Sequence, residues 1–148
     1  TKIGKELSII PPTDPNTSSG NDNLNILWLS PDEWLLYSNN KTDIHVSNEL
    51  ENNLYNSISK VKIGSVTNVS DHWIVINLKG EKIFDLLSSG CPFNFNKFKN
   101  TKGAVTQTLI NHIDVIIHNK NFNNLNIFVR RSFSNHLWSW MNDSARFV

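Results

Sequence analysis

At 148 residues the chain suits one domain, and a domain of this size buries about 68 to 70% of the surface its unfolded form exposes. Fourteen basic against thirteen acidic residues leave a net charge of +1, which argues against a nucleic-acid surface or an electrostatic membrane patch and points to protein as the partner. The one cysteine excludes an internal disulfide and a thiolate metal cage and fits a reducing compartment such as the cytoplasm, and no run of about 18 apolar residues exists to span a bilayer.

The chain starts at Thr1 rather than at Met, which leaves a further upstream segment open. Residues 1 to 23 combine Pro11, Pro12, Pro15, Ser18, Ser19 and Gly20 with few apolar side chains, so they predict an extended or mobile arm. Ile3, Leu7, Ile9 and Ile10 favour an arm that docks on something. A single α+β domain is expected from 24 to 148. Leu24 to Leu29 predicts a strand, Ser30-Pro31-Asp32-Glu33 a turn, and Trp34 to Tyr37 the returning strand. After a polar turn at Ser38 to Lys41, Thr42 or Asp43 is placed to cap a helix whose buried face carries Leu50, Leu54 and Ile58. Val61 to Val69 predicts a strand broken at Gly64.

Trp73 to Leu78 is dense in β-branched and aromatic residues and predicts the central strand. Glu81 suits a helix's first turn, Ile83, Leu86 and Leu87 recur at helical spacing, and Gly90 suits a left-handed stop before Pro92. Phe93, Phe95 and Phe98 follow in a connection suited to cover a sheet edge or helix end. Strands are then expected at Ala104 to Ile110, at Ile113-Val115-Ile117 and at Leu125-Ile127-Val129, with a long polar turn from Asn119 to Asn124. Ser132 or Ser134 can cap a last helix that aligns Phe133, Leu137, Trp140 and Met141 on one stripe. The whole order is ββαββα followed by βββα. The asparagine-rich runs are turn-tolerant loop filler rather than a binding tract.

The strand ending Leu-Lys-Gly, the helix IFDLLSSG and Cys91-Pro92-Phe93 resemble the middle of the gamma subunit of heterotetrameric sarcosine oxidase. LWLSPDEWLLY at 27–37, KGAVTQTLI at 102–110 and FVRRSFSNHLWSWM at 128–141 resemble that family in the same order, so most of residues 27 to 141 is covered. The resemblance implies two α+β halves of β-β-α-β type, similar to the folate-binding domain of the glycine-cleavage T-protein. It implies a non-catalytic subunit of a complex that demethylates sarcosine oxidatively to glycine, passing the one-carbon unit to tetrahydrofolate. FAD, FMN, NAD and tetrahydrofolate would then belong to the partner subunits: alpha, and through it beta and delta. The equivalent subunit of N-methylglutamate dehydrogenase and a stand-alone folate-binding protein are the alternatives.

Few residues suggest chemistry of their own. His112 and Asp114 suit either an oriented base or a polar strand edge, and with no nucleophile in view the polar edge is preferred. Cys91 follows a helix C-terminus, where the dipole's negative end disfavours a thiolate, so a buried structural thiol is expected. Ser134, His136 and Asp143 share one short helix on diverging faces and make no triad. No catalytic residue and no metal ligand is therefore expected. The six glycines are dispersed, so the chain shows no dinucleotide fingerprint. By the T-protein resemblance, which implies a carboxylate that holds the pterin, Asp71 is a weak folate candidate. Most of the five tryptophans should be core. Trp138, off the apolar stripe of the last helix, is the candidate partner anchor, with Arg130 and Arg131, one to each strand face, beside it.

Overall fold

In the computed structural model, which describes residues 2–39, 44–60 and 64–148, the hairpin expected around Pro31 is the centre of a first unit, Thr1–Val69. Strands β2 (Leu24–Ser30) and β3 (Glu33–Ser38) pair antiparallel with Ile26 opposite Leu36 and Trp28 opposite Trp34, and a register shift lies between Trp28 and Ser30. In place of the extended or mobile arm, residues before 24 carry a short helix, α1 (Lys2–Leu7), and an edge strand, β1 (Ser18–Gly20), antiparallel to β2. The reason lies in the arm's few apolar residues: Leu7 and Ile9 are buried with Ile26 and Leu54, and Ile3 packs against them. The indole nitrogen of Trp34 donates to Pro12 O at 2.8 Å, fixing the proline-rich link as well.

Helix α2 (Ile44–Ser59) supplies Leu54 to this core, with Leu50 packed beside it. Its expected caps, Thr42 and Asp43, and the end of the expected turn at Lys41 lie outside the described residues, as do 61–63 of the expected strand. Residues 64–69 form no strand. Val66 packs on the unit's core and the Asn68 Nδ2 donates to Glu51 Oε2 at 3.0 Å, so side chains hold this segment rather than a ladder.

The second unit, Ser70–Val148, is a four-stranded antiparallel sheet with helices on one face. Its strands are β4 (Trp73–Lys79), β5 (Val105–Ile110), β6 (Ile113–Asn121) and β7 (Asn124–Arg130), in the spatial order β4-β7-β6-β5. Helices α3 (Ile83–Ser88), α4 (Phe95–Phe98) and α5 (Ser134–Ser144) contribute Ile83, Leu87, Phe95, Phe98, Leu137 and Met141 to a core shared with alternate residues Ile76, Ile117, Ile127 and Val129 of the sheet. Such alternation turns these residues to the helix-covered face, and Ile116, His118, Asn126 and Phe128, which alternate with them on β6 and β7, are buried on the opposite face as well. The aromatic stretch expected to be a connection holds the short helix α4, with Phe95 and Phe98 buried in the core, and Phe93, Phe95 and Phe98 pack edge-on with centroids 5.0 to 5.8 Å apart.

Four local expectations are corrected. The β6–β7 turn is not long: Asn121 pairs with Asn124, leaving Phe122-Asn123 as the turn. A shift between Asn119 and Asn121 buries Asn119, whose Nδ2 donates to Phe98 O and Thr101 O at 2.7 and 3.0 Å. Gly90 does not take a left-handed conformation; a Cβ there would stand 2.4 Å from the Trp140 ring, so the glycine serves close packing instead. Phe133 leaves the predicted stripe because a 3₁₀ turn, Arg131–Phe133, precedes α5, which starts one residue later without a side-chain cap. Both Ser132 and Ser134 are thus passed over as caps, and the Ser134 hydroxyl donates to Arg131 O instead.

Candidate functional site

The residues singled out for a partner surface gather at one end of the β4–β7 pair. Trp73 lies opposite Arg130 in the ladder, the Arg131 backbone N–H donates to His72 O at 2.9 Å, and the turn before β4 therefore stands beside the turn that opens α5. A shallow depression is lined there by Asp71, His72, Arg130, Arg131 and Ser132. Arg131 is committed within it. Its Nε donates to Asp71 O at 2.8 Å and its guanidinium lies 3.6 Å from the Asp71 carboxylate. Both side chains are solvated, so this pair orients the turn and adds little stability. Arg130 is exposed and has no ion pair among the described residues.

The two arginines do not split cleanly across the strand as the sequence predicts. Arg130 ends β7, whereas Arg131 already belongs to the 3₁₀ turn and points back at Asp71. Asp71 is a fully exposed carboxylate facing that arginine in a turn.

A second depression is lined by Ile74 to Asn77 of β4 and by Ser134, Asn135 and Trp138 of α5. Trp138 is 54% exposed and Phe133 48%. On the other side of α5, Leu137 and Met141 are buried and Trp140 is partly buried against the core, its ring over Gly90. Two tryptophans two positions apart point about 200° apart on a helix, which is why one ring meets the sheet and the other meets solvent. Trp28, Trp34 and Trp73 are each partly buried rather than deep core, their rings being too large to be enclosed by units of this size.

The remaining chemical candidates are placed apart. Asn111 and His112, both at positive φ, form the turn between Ile110 and Ile113, so His112 leaves the strand and shares no face with Asp114. Cys91 is buried with its sulfur 3.7 Å from the Thr108 hydroxyl. His136 approaches Asn111 at 3.4 Å. Among the described residues no three His, Cys, Asp or Glu side chains come together as a metal site. Sequence reasoning passed over His118, which is buried on β6; burial, aided by the nearby Lys120 charge, lowers its pKa from 6.5 to about 4. Its partners in the ladder are Val105 and Asn126, and the sequence carries no local signal of that burial.

The class these features define is an antiparallel α+β protein that has two small sheets among the described residues and carries an exposed tryptophan and an exposed arginine beside strand β4. A family model described as sarcosine oxidase, gamma subunit, matches residues 4–146, and the chain belongs to that family. Among solved structures it is similar to a chain of heterotetrameric sarcosine oxidase from Corynebacterium sp. U-96 in complex with pyrrole 2-carboxylate. The TM-score is 0.85 at 22% identity over 97% of this chain and 70% of that one, a likeness of fold. No curated protein matches the chain. No helix among the described residues is long and apolar enough to cross a membrane.

Proposed function

We propose that this chain is the gamma subunit of a cytoplasmic sarcosine oxidase complex and works as an interaction subunit without catalytic residues of its own. The observation that carries the reading is family membership across residues 4–146, nearly the whole chain. The large subunits, alpha and through it beta and delta, hold FAD, FMN, NAD and tetrahydrofolate and demethylate sarcosine to glycine. The two halves correspond to those of the T-protein's folate-binding domain, with mixed elements on antiparallel sheets supporting that kinship. Trp138 and Arg130 supply the contact to the alpha subunit, an exposed tryptophan and an exposed arginine being residue types that dominate interface energetics.

Co-expression with the large subunits tests this. One co-eluting complex that oxidises sarcosine, together with an isolated chain that is folded, colourless and inert, is the expected result. Separate elution at micromolar concentration, or stoichiometric flavin absorbance in the isolated chain, would refute it.

A further inference from the structure

In the order β4-β7-β6-β5, strand β4 has a neighbour on one side among the described residues. The Gly80 N–H donates to Asn123 O at 3.1 Å and the Arg131 N–H to His72 O at 2.9 Å, and both pairs continue the register that sets Trp73 against Arg130 and Lys79 against Asn124. Hydrogen-bonded and non-hydrogen-bonded pairs alternate in an antiparallel ladder, so residues of even number turn their backbone groups to β7. Trp73, Val75, Asn77 and Lys79 therefore turn theirs to the open edge. Val75 is 47% exposed.

Natural sheets blunt such edges with proline, charge, bulges or brevity. Strand β4, WIVINLK, spans seven residues without proline or a register shift and has no charge before Lys79. The opposite edge, β5, is shorter and carries Thr106, Gln107 and Thr108. Beside the undefended edge lies an open groove of about 370 Å³ between Ile74 to Asn77 and the α5 residues Ser134, Asn135 and Trp138. Arg130, without an ion pair among the described residues, lies opposite Trp73 at the start of β4 and lines the depression that Asp71, His72, Arg131 and Ser132 share.

We propose that a strand of the partner subunit adds to β4 as a fifth strand of this sheet. Backbone groups of Val75 and Asn77 pair with it, alternate apolar side chains enter the groove against Ile76 and Trp138, and a carboxylate at one end meets Arg130. A row of outward N–H and C=O groups is matched by another extended backbone, and the Arg130 charge, which has no ion pair among the described residues and stands opposite Trp73 at the start of β4, selects an acidic residue on it. The inference rests on the proposed function and specifies how that contact is made.

The test uses the full chain with the co-expressed large subunits. Hydrogen exchange should slow by about tenfold or more at the Val75 and Asn77 amides on complex formation, while Ile74 and Ile76, already bonded to β7, change little. Val75→Pro removes one outward N–H without taking a bond from β7 and should weaken association by about tenfold. Arg130→Glu, which leaves the backbone intact, should weaken it by at least as much. If the complex forms but those amides stay unprotected and both variants bind as the parent does, the strand addition is wrong while the subunit assignment stands. If no complex forms, both fall. Protection of the same amides in the chain alone, accompanied by dimerisation, would assign the edge to a second copy and overturn the proposal.

Discussion

Gly90→Ala should destabilise the protein through one ring. A Cβ built there stands 2.4 Å from Trp140 Cζ2, 2.7 Å from Cη2 and 3.3 Å from Cε2, and the indole is held against the core rather than free to swing away. Overpacking of this kind costs about 1 to 3 kcal/mol. Gly90 lies outside the positive-φ region, so alanine also gains about 0.4 to 1 kcal/mol by restricting the unfolded chain. The net loss expected is thus between about 0 and 2.6 kcal/mol. In a Trp140→Ala background the clash is gone and only the favourable part remains, so Gly90→Ala should be neutral or slightly stabilising there. A double-mutant cycle by urea melts, followed by circular dichroism and by fluorescence from the remaining tryptophans, should give a coupling of about 1 to 3 kcal/mol. Equal costs in both backgrounds would refute the packing argument and return Gly90 to a purely conformational role.

Trp138→Ala should cost the isolated chain less than about 1 kcal/mol but weaken association with the large subunits by about 2 kcal/mol or more, whereas Trp140→Ala should cost about 2 to 3 kcal/mol of stability. Comparable melts of the two variants would show that both rings are structural. Acidification should destabilise the fold through His118. Its pKa is lowered in the native state to about 4 while the unfolded side chain keeps 6.5, so between these values the unfolded state binds more protons. Stability present above pH 6.5 is then lost towards pH 4, by up to about 3 kcal/mol, and a His118→Gln variant whose melts show the same pH dependence would dismiss the effect. Asn119→Ala removes two buried donors from Phe98 O and Thr101 O and should cost about 2 to 3 kcal/mol; a change below about 0.5 kcal/mol in the melting free energy would mean that water replaces the amide without loss.

The elements of the second unit were legible in the sequence because each is announced locally. Trp73 to Leu78 is β-branched and aromatic, Ile83, Leu86 and Leu87 keep helical spacing, and Val115, Ile117, Ile127 and Val129 alternate as one buried sheet face demands. The opposed fates of Trp138 and Trp140 also followed from residue spacing alone, since the helical turn fixes the angle between them. Strand order was not announced. That β4 lies at an edge with its odd-numbered backbone groups outward depends on β7 returning from about fifty residues away, and only long-range pairing decides it. The same holds for the segment before residue 24, whose composition suggests an arm. Leu7 and Ile9 are too few to order a free peptide, but a sheet and helix already in place provide the surface that makes their burial favourable. Gly90 and His118 fall in this group too. A glycine required by a ring fifty residues away and a histidine buried among strand neighbours carry no local mark, because close packing and desolvation are properties of the assembled neighbourhood rather than of the chain.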